Sequence, residues 1–214
     1  MKNQVFYIAG SDGSGKTTLL RDLEKKLMDN SHRTTHIWIR SPKIFSKPLM
    51  AYCRLIGLTK YKTIDGIEYG KHEFHRSSFV SWLFPILQLA DFKIKWFFEK
   101  RKINSKDIVL FDRFNLDTLS DLMVDTKRLN LHKTWVGKQF IKLSPNNCTS
   151  IILKVDAAIV RERKLDTLHD EHLEDKIMTF QILSKELNIK LIENNLEYSI
   201  VKNEVINYMI NGKF

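Results

Sequence analysis

The sequence predicts an α/β protein in which helices cover both faces of a five-stranded parallel sheet. Five short runs of apolar, β-branched or aromatic residues supply the strands: QVFYIAG, HIWIR, DIVLFD, TSIILKV and IKLIE. Strands that are continuously apolar and separated by helical segments are typical of parallel sheets buried on both faces. The chain has no internal repeat, low-complexity tract or linker, so we expect a single domain over residues 1–214.

Helical periodicity fills the segments between these runs. Leucines at helical spacing follow the first run, and Asn30 ends that pattern. The most apolar segment, residues 77–98, is interrupted by Asp91, Lys93 and Lys95. It therefore falls short of the roughly 20 apolar residues that a membrane span requires. We expect a buried helix there and no membrane span, and the run LEYSIVKNEVINYMI predicts a closing amphipathic helix.

Composition and charge restrict the class of protein. Hydrophobic residues make up 43% of the chain and charged residues 28%, which excludes a disordered or fibrous protein. Cys53 and Cys148 lie far apart, which favours a reducing compartment over a disulfide framework or a zinc site. The first residues do not match a signal peptide, so we expect a cytoplasmic protein. The net charge of +10 favours anionic partners without choosing among nucleotides, nucleic acids and lipid headgroups.

The segment after the first predicted strand matches the pattern G-x-x-x-x-G-K-[ST]. Glycines there let successive backbone N–H groups turn toward a phosphate, and the start of the next helix adds its dipole. A lysine at this place reaches the β- and γ-phosphates of ATP, and the following hydroxyl can ligate Mg²⁺. The residues predicted to bind the nucleotide are Gly10, Ser11, Gly13, Ser14, Gly15, Lys16, Thr17 and Thr18. The segment therefore predicts a three-layer P-loop NTPase fold with ATP and Mg²⁺ as ligands.

A second residue for the metal is expected at the end of the run IVLFD. Asp112 ends this run, and the carboxyl ends of parallel strands form the ligand-binding edge of such sheets. Asp112 can orient Mg²⁺ together with Thr17 or act on the acceptor, because phosphoryl transfer depends mainly on positioning and charge neutralisation. The alternative is that Asp112 caps the helix that follows.

The combination of GSDGSGKTT at Gly10–Thr18 and DRF at Asp112–Phe114 resembles the thymidylate kinase family of P-loop nucleoside monophosphate kinases. The turn RSP at Arg40–Pro42 is similar to the family's turn after the second strand, and VDAAIVRERK at Val155–Lys164 lies where the family has an arginine-bearing lid. The resemblance covers essentially the whole chain. It implies transfer of the ATP γ-phosphate to a nucleoside monophosphate, which is dTMP in the family. It also implies an acceptor-binding insertion at about residues 42–100, a lid at about 156–172 and a possible homodimer.

The family pattern also implies roles for individual residues. Arg40 and Arg113 correspond to ligands of the acceptor phosphate, and each offers a planar, bidentate fork. Asp12 corresponds to the acidic loop residue that faces the acceptor sugar. These three residues thus resemble the catalytic and acceptor-binding side of the family's site.

Other positions follow from the same resemblance. Gly13 replaces an arginine found in some members, as in the subgroup that takes its catalytic arginine from the lid. Arg161 and Arg163 are the candidates for that role, and spacing does not choose between them. Asn194, after the last strand, lies where similar kinases bring backbone near adenine; it can also simply end the strand.

The chain departs from the family where the base is read. An alignment without gaps backwards from DRF puts Leu87 in place of the stacking phenylalanine and Asp91 in place of the base-reading arginine. Asp91 could accept from an exocyclic amine or a sugar hydroxyl, while a helix shifted by one turn would put Gln88 there instead. Counted forward from DRF, the four named residues of the family's S-x-x-A-Y-Q tail fall on Asp117, Ser120, Asp121 and Leu122. Asp91 and Asp117 are therefore predicted to bind the acceptor, whose base stays open.

Three functions remain open at the level of sequence. The first is a kinase of a nucleoside monophosphate, and the second is a P-loop kinase of a non-nucleotide small molecule. The third is a nucleotide-sensing or nucleic-acid-binding P-loop module. The basic residues are not gathered in one arm or tail, so we expect a small-molecule phosphate acceptor and no nucleic acid.

Overall fold

The computed structural model describes residues 3–64, 67–164 and 167–211 of the chain. Seven strands occur within these residues: β1 (Val5–Gly10), β2 (Thr34–Ile37), β3 (Thr59–Ile64), β4 (Ile67–His72), β5 (Ile108–Asp112), β6 (Cys148–Lys154) and β7 (Lys190–Glu193). Five of them form one sheet in the order β2-β5-β1-β6-β7, and every neighbouring pair is parallel. The predicted α/β class with a five-stranded parallel sheet is confirmed.

The helices that connect the strands are α1 (Lys16–Asp29), α2 (Ser46–Leu55), α3 (Ser78–Glu99), α4 (Asn115–Asp125), α5 (Trp135–Ile141), α6 (Ala157–Arg163), α7 (Leu173–Leu187) and α8 (Tyr198–Asn211). The helices predicted after the first strand, over residues 77–98 and at the end of the chain correspond to α1, α3 and α8. In the described part of the chain, no helix combines the length and apolar character that crossing a membrane requires.

The alternation of side chains along β1 explains the three layers. All six residues of β1 are buried. Val5, Tyr7 and Ala9 pack in the larger apolar cluster with residues of α3, α4, α5 and α7, whereas Phe6 and Ile8 pack with residues of α1 and α8. Because successive side chains of a strand point to opposite faces, one strand buries apolar surface on both sides of the sheet.

One pair of strands was not predicted. β3 and β4 form an antiparallel hairpin outside the main sheet, within the segment expected to be an acceptor-binding insertion. The hairpin connects α2 to the short 3₁₀ helix Phe74–Arg76, which leads into α3. The insertion therefore contributes a hairpin and two helices beside the main sheet.

The strand register brings the predicted motifs to one edge of the sheet. Gly10 at the end of β1 lies beside Leu153 of β6, and Ile8 lies beside Asp112 of β5. The carboxyl ends of parallel strands meet at this edge, which is where such folds bind ligands.

Candidate active site

The loop between β1 and α1 has the backbone that its glycines predict. Gly10, Gly13 and Gly15 have φ of 151°, 75° and 88°, conformations that residues with a Cβ rarely adopt. A Cβ on Gly10 would lie 2.7 Å from the carbonyl oxygen of Leu153, and one on Gly15 would lie 2.8 Å from Nδ2 of Asn194. The glycines are thus required both by conformation and by close approach of neighbouring strands.

Lys16 lies inside this loop. Its Nζ donates to the carbonyl oxygens of Gly10 at 2.7 Å and Ser11 at 2.6 Å. Burial lowers the pKa of Lys16 to about 8, although the carboxylates of Asp117 and Asp112 oppose the shift. The side chain is therefore preorganised where the motif predicts contact with phosphate.

The predicted metal ligands meet across the edge of the sheet. The hydroxyl of Thr17, in the first turn of α1, donates to Oδ2 of Asp112 at 2.9 Å. The described residues contain no cluster of three or more His, Cys, Asp and Glu side chains suited to a metal. A hydroxyl and one carboxylate nevertheless fit Mg²⁺, which usually takes one or two protein ligands and keeps its other positions for water and phosphate oxygens.

Asn194 packs against the predicted phosphate-binding loop, Gly10–Thr18, which we call the phosphate loop. Its Nδ2 donates to the carbonyl oxygen of Ser14 at 2.9 Å, and its backbone N–H donates to the carbonyl oxygen of Lys154 at 2.8 Å. Asn194 is 3% exposed, and Ser11 and Ser14 are buried as well, whereas Thr18 is exposed on α1. The Asn194 side chain therefore links the end of the sheet to the loop, while the expectation that the backbone of this turn lies near adenine stays a prediction.

Arg40 and Arg113 converge on one carboxylate of the phosphate loop. Arg40 Nη2 donates to Oδ2 of Asp12 at 3.1 Å, and Arg113 forms an ion pair with the other oxygen of the same carboxylate. Nε of Arg40 also lies 3.6 Å from Oδ2 of Asp121. The arginine side chains remain 32% and 17% exposed, so a ligand can reach both guanidinium groups.

Backbone conformation holds the two arginines in place. Arg113 has φ of 67° and Ser41, next to Arg40, has φ of 39°. The N–H of Ile39 donates to the carbonyl oxygen of Arg113 at 3.1 Å, which ties the ends of β2 and β5 together. Left-handed backbone at residues other than glycine costs free energy and clusters at functional sites. The arginine pair is thus positioned by two strained segments that are linked directly.

Asp91 does not lie with the other predicted acceptor ligands. It is fully buried, and its carboxylate accepts from the backbone N–H groups of Ile44, Phe45 and Ser46 and from the Ser46 hydroxyl. These N–H groups precede or begin α2, where a helix has no backbone partners for them. Asp91 therefore holds the start of α2, which corrects the prediction that it contacts the acceptor.

Asp117 is likewise a structural residue. It is 2% exposed, accepts from the Tyr7 hydroxyl at 2.6 Å and from the N–H of Phe114 at 3.1 Å, and so caps α4. Burial raises the pKa of Asp117, against the opposing charges of Lys16 and Arg113. Its predicted contact with the acceptor is corrected in the same way, because its carboxyl is buried and bonded to Tyr7 and to the start of α4.

A cavity of about 240 Å³ opens beside Arg40. Phe84 and Gln88, four residues apart on α3, line one part of it, and Asp121, Leu122 and Asp125 of α4 line another. The remaining lining residues are Arg40, Ser41, Lys43, Met50, Gly70, His72, Asp170, His172 and Lys176. Gln88 was considered only as an alternative register, and Phe84, Asp125 and Lys176 were missed.

The cavity combines an aromatic ring with charged groups of both signs. Burial and the neighbouring Asp121 raise the pKa of Asp125 well above its usual value. Burial would lower the pKa of Lys176, but Asp121 and Asp170 raise it overall. Nζ of Lys176 donates to Asp170 at 2.8 Å. The cavity can therefore offer a ring surface, acceptors and donors to one ligand.

The predicted lid, about residues 156–172, packs over the phosphate loop through α6; residues 165–166 of that segment lie outside the described part. A Cβ on Gly13 would lie 2.8 Å from Cγ1 of Val160, so no larger residue fits at this loop position without moving α6. Arg161 pairs with Glu174 at 2.7 Å and faces a basic cavity of about 680 Å³ against the β3–β4 hairpin. Arg163 donates to the carbonyl oxygen of Asn194 at 3.0 Å.

A scan against models of known protein families and a search of curated proteins return no match for this chain.

Proposed function

We propose that this protein is an ATP- and Mg²⁺-dependent kinase that transfers the γ-phosphate of ATP to a nucleoside monophosphate. One observation carries the proposal: Arg40 and Arg113 converge on Asp12, immediately beside the phosphate loop. A protein that only bound ATP would not need two further arginines there. Two planar guanidinium groups at this place suit the phosphate of a second substrate.

The donor side of the reaction follows from the loop. Lys16 binds the β- and γ-phosphates of ATP, and Thr17 and Asp112 would hold Mg²⁺, which neutralises charge on the phosphates when it is bound. The glycine loop supplies backbone N–H groups to the phosphates. Arg161 or Arg163 stabilises charge on the transferred group when the lid closes.

The acceptor side is provided by the arginine pair and the adjoining cavity. Arg40 and Arg113 fix the acceptor phosphate, so that one of its oxygens attacks the γ-phosphorus while ADP leaves. The cavity of about 240 Å³ contains the ring of Phe84, which offers an apolar face to a nucleobase. Gln88 lies one turn further along α3 and offers a polar group to the edge of that base.

A second candidate acceptor is a hydroxylated small-molecule phosphate that is not a nucleotide. It is favoured by the carboxylates of Asp121, Asp125 and Asp170, which line the cavity and can accept from several hydroxyl groups. Sugar hydroxyls are donors and acceptors, so an acidic lining suits them as well as it suits a base.

An acceptor screen tests the proposal. Purified protein with ATP and Mg²⁺ is offered deoxynucleoside and nucleoside monophosphates and sugar phosphates, and ADP and the phosphorylated product are quantified together. We expect one acceptor to stimulate ADP formation with an equal amount of product. Transfer is lost in Lys16→Ala and Arg113→Ala and kept in Lys26→Ala, an exposed residue of α1.

Two results would contradict the kinase proposal. The first is unchanged transfer in both Lys16→Ala and Arg113→Ala. The second is tight ATP or nucleic-acid binding without turnover on any acceptor, which would favour a sensing or nucleic-acid-binding module. Exclusive use of sugar phosphates would select the second candidate.

A further inference from the structure

We propose that Gln88 selects the acceptor by presenting only its amide oxygen, so that the preferred acceptor carries an N–H or O–H donor at that point. The inference rests on the proposed kinase function for its main readout. It concerns the orientation of the Gln88 amide, which is determined by its hydrogen bonds to Pro42 and Ser46 and by the hydrogen bond from Ser46 to Asp91.

The amide nitrogen of Gln88 uses both of its N–H bonds within the protein. Nε2 donates to the carbonyl oxygen of Pro42 at 3.0 Å and to Oγ of Ser46 at 2.8 Å. The Ser46 hydroxyl has one proton and gives it to Oδ2 of Asp91 at 2.6 Å, so toward Gln88 it can only accept. A carbonyl oxygen such as that of Pro42 can also only accept. Both N–H bonds of the amide are therefore used.

The reverse orientation of the amide is excluded by the same partners. Turning the group over would place Oε1 against the carbonyl oxygen of Pro42 and against the lone pairs of Ser46. Asp91 prevents Ser46 from adapting, because its carboxylate is held by three backbone N–H groups at the start of α2. Asp91 is thus a positioning residue for Gln88, acting through Ser46.

Oε1 of Gln88 is the group left for a ligand. It is buried and has no hydrogen-bond partner among the described residues. Gln88 is 1% exposed and lines the acceptor cavity with Phe84. A buried acceptor without a partner is costly, and a ligand that donates to it recovers that free energy. Cytosine and adenine can donate from an amino group, thymine and uracil from an imide N–H, and sugars from a hydroxyl.

Matched acceptor pairs that differ by a single donor test this inference. Deoxycytidine monophosphate is compared with its 2-pyrimidinone analogue and deoxyadenosine monophosphate with its purine analogue. dTMP is compared with its N3-methyl analogue, which loses the donor but also gains a methyl group. For the pair containing the substrate, we expect kcat/KM to be about 10- to 100-fold higher for the member with the donor.

Variants assign the selectivity to the amide. Gln88→Leu keeps the size of the side chain and should bring the ratio within each pair close to one, mainly by raising KM for the donor-bearing member. Ser46→Ala frees one amide N–H and should give an intermediate ratio, which Ser46→Thr restores. Lys93→Ala on α3 and Lys47→Ala on α2, both exposed, serve as controls and should leave the ratio unchanged.

The outcomes separate this inference from the kinase proposal. Equal use of both members by the wild-type protein, or an unchanged ratio in Gln88→Leu, overturns the role of Gln88 while leaving the kinase function intact. If no acceptor is phosphorylated, the kinase proposal fails, and calorimetric binding of the same pairs measures the ratio without turnover. Absence of any difference in that binding overturns the inference too.

Discussion

The proposed phosphate loop and the proposed acceptor cavity lie side by side, yet they are built in different ways. The loop consists of consecutive residues, Gly10–Thr18, between one strand and one helix. The cavity is assembled from the loop after β2, from α2, α3 and α4, from the hairpin, and from α7 with the residues before it, which are far apart in the sequence. The loop is therefore determined by local conformation, whereas the cavity depends on how helices are rotated against one another. We propose that the loop binds the phosphate donor and the cavity binds the acceptor. Variants of one region should therefore leave the function of the other unchanged.

The largest expected effect comes from Lys16 on the donor side. We expect Lys16→Ala to lower the rate of phosphoryl transfer by at least about 10²–10³-fold, because it removes the buried cation from the phosphates. Binding of the acceptor alone should be unchanged. Steady-state kinetics and calorimetric titration of ATP and acceptor, with Lys26→Ala as the control, check this. If Lys16→Ala weakened acceptor binding as much as ATP binding, the loop and the cavity would not act as separate donor and acceptor sites.

Arg113 provides the corresponding change on the acceptor side. Arg113→Lys keeps the charge but loses the planar fork, and lysine tolerates the left-handed φ of 67° no better than arginine does. We expect kcat/KM for the acceptor to fall by about 10²-fold while the Kd for ATP stays the same. Arg33→Lys is the control, since its side chain is 73% exposed beside Asp107. Weakened ATP binding in Arg113→Lys would argue that Arg113 serves the donor instead.

Asp91 touches no substrate in this account, so its largest expected effect is on stability, beside the indirect effect on Gln88 through Ser46. Asp91→Ala leaves three backbone N–H groups near the start of α2 without their acceptor, so we expect the free energy of unfolding to fall by about 2–3 kcal/mol. Urea denaturation followed by circular dichroism measures this change. Asp29→Ala, exposed at the end of α1, should leave stability almost unchanged. A fully stable Asp91→Ala protein would show that the carboxylate does not hold α2.

The smallest expected effect is a pH dependence of ATP binding. Phosphate contact requires protonated Lys16, and its pKa of about 8 means that the ammonium form is lost as the pH rises through that value. A single site with this pKa weakens ATP affinity by about fivefold between pH 8 and pH 9. Lys16→Ala should show no such change over the same interval. A wild-type Kd that is constant from pH 7.5 to pH 9.5 would contradict the assignment.

Local patterns in the sequence were sufficient for the fold and the phosphate loop. Each of the five apolar runs overlaps one of the five parallel strands, although HIWIR shares only His36 and Ile37 with β2. The glycines at 10, 13 and 15 have the positive φ that the motif implies. Asp112 also lies beside Thr17, as its position at the carboxyl end of a parallel strand predicts. These features depend on neighbours in sequence or on the common edge of a parallel sheet, both of which a pattern determines.

The acceptor cavity could not be predicted in the same way. Counting back from Asp112 without gaps assigned Leu87 and Asp91, but the residues at the cavity are Phe84 and Gln88, each three positions earlier. Three residues are nearly one helical turn, and no pattern fixes the length of the connection between α3 and β5 closely enough to exclude that shift. The face that a helix presents is decided by packing, such as the contact of Asp91 with α2.

The hairpin was missed although a signal for it exists. Thr59, Tyr61 and Thr63 alternate with lysines, and the sequence continues with Asp65-Gly66, a dipeptide typical of two-residue hairpin turns. That dipeptide lies outside the described residues. The family resemblance implied only an acceptor-binding insertion over this segment and no strands within it.

The most direct test of the account follows the phosphorus atoms themselves. In a ³¹P NMR experiment, purified protein is mixed with ATP, Mg²⁺ and the nucleoside monophosphate selected by the acceptor screen. The account predicts that the γ-phosphate resonance of ATP and the monophosphate resonance of the acceptor decline together, while two nucleoside diphosphates appear and no inorganic phosphate accumulates. Release of inorganic phosphate with the acceptor resonance unchanged would contradict transfer between the two sites.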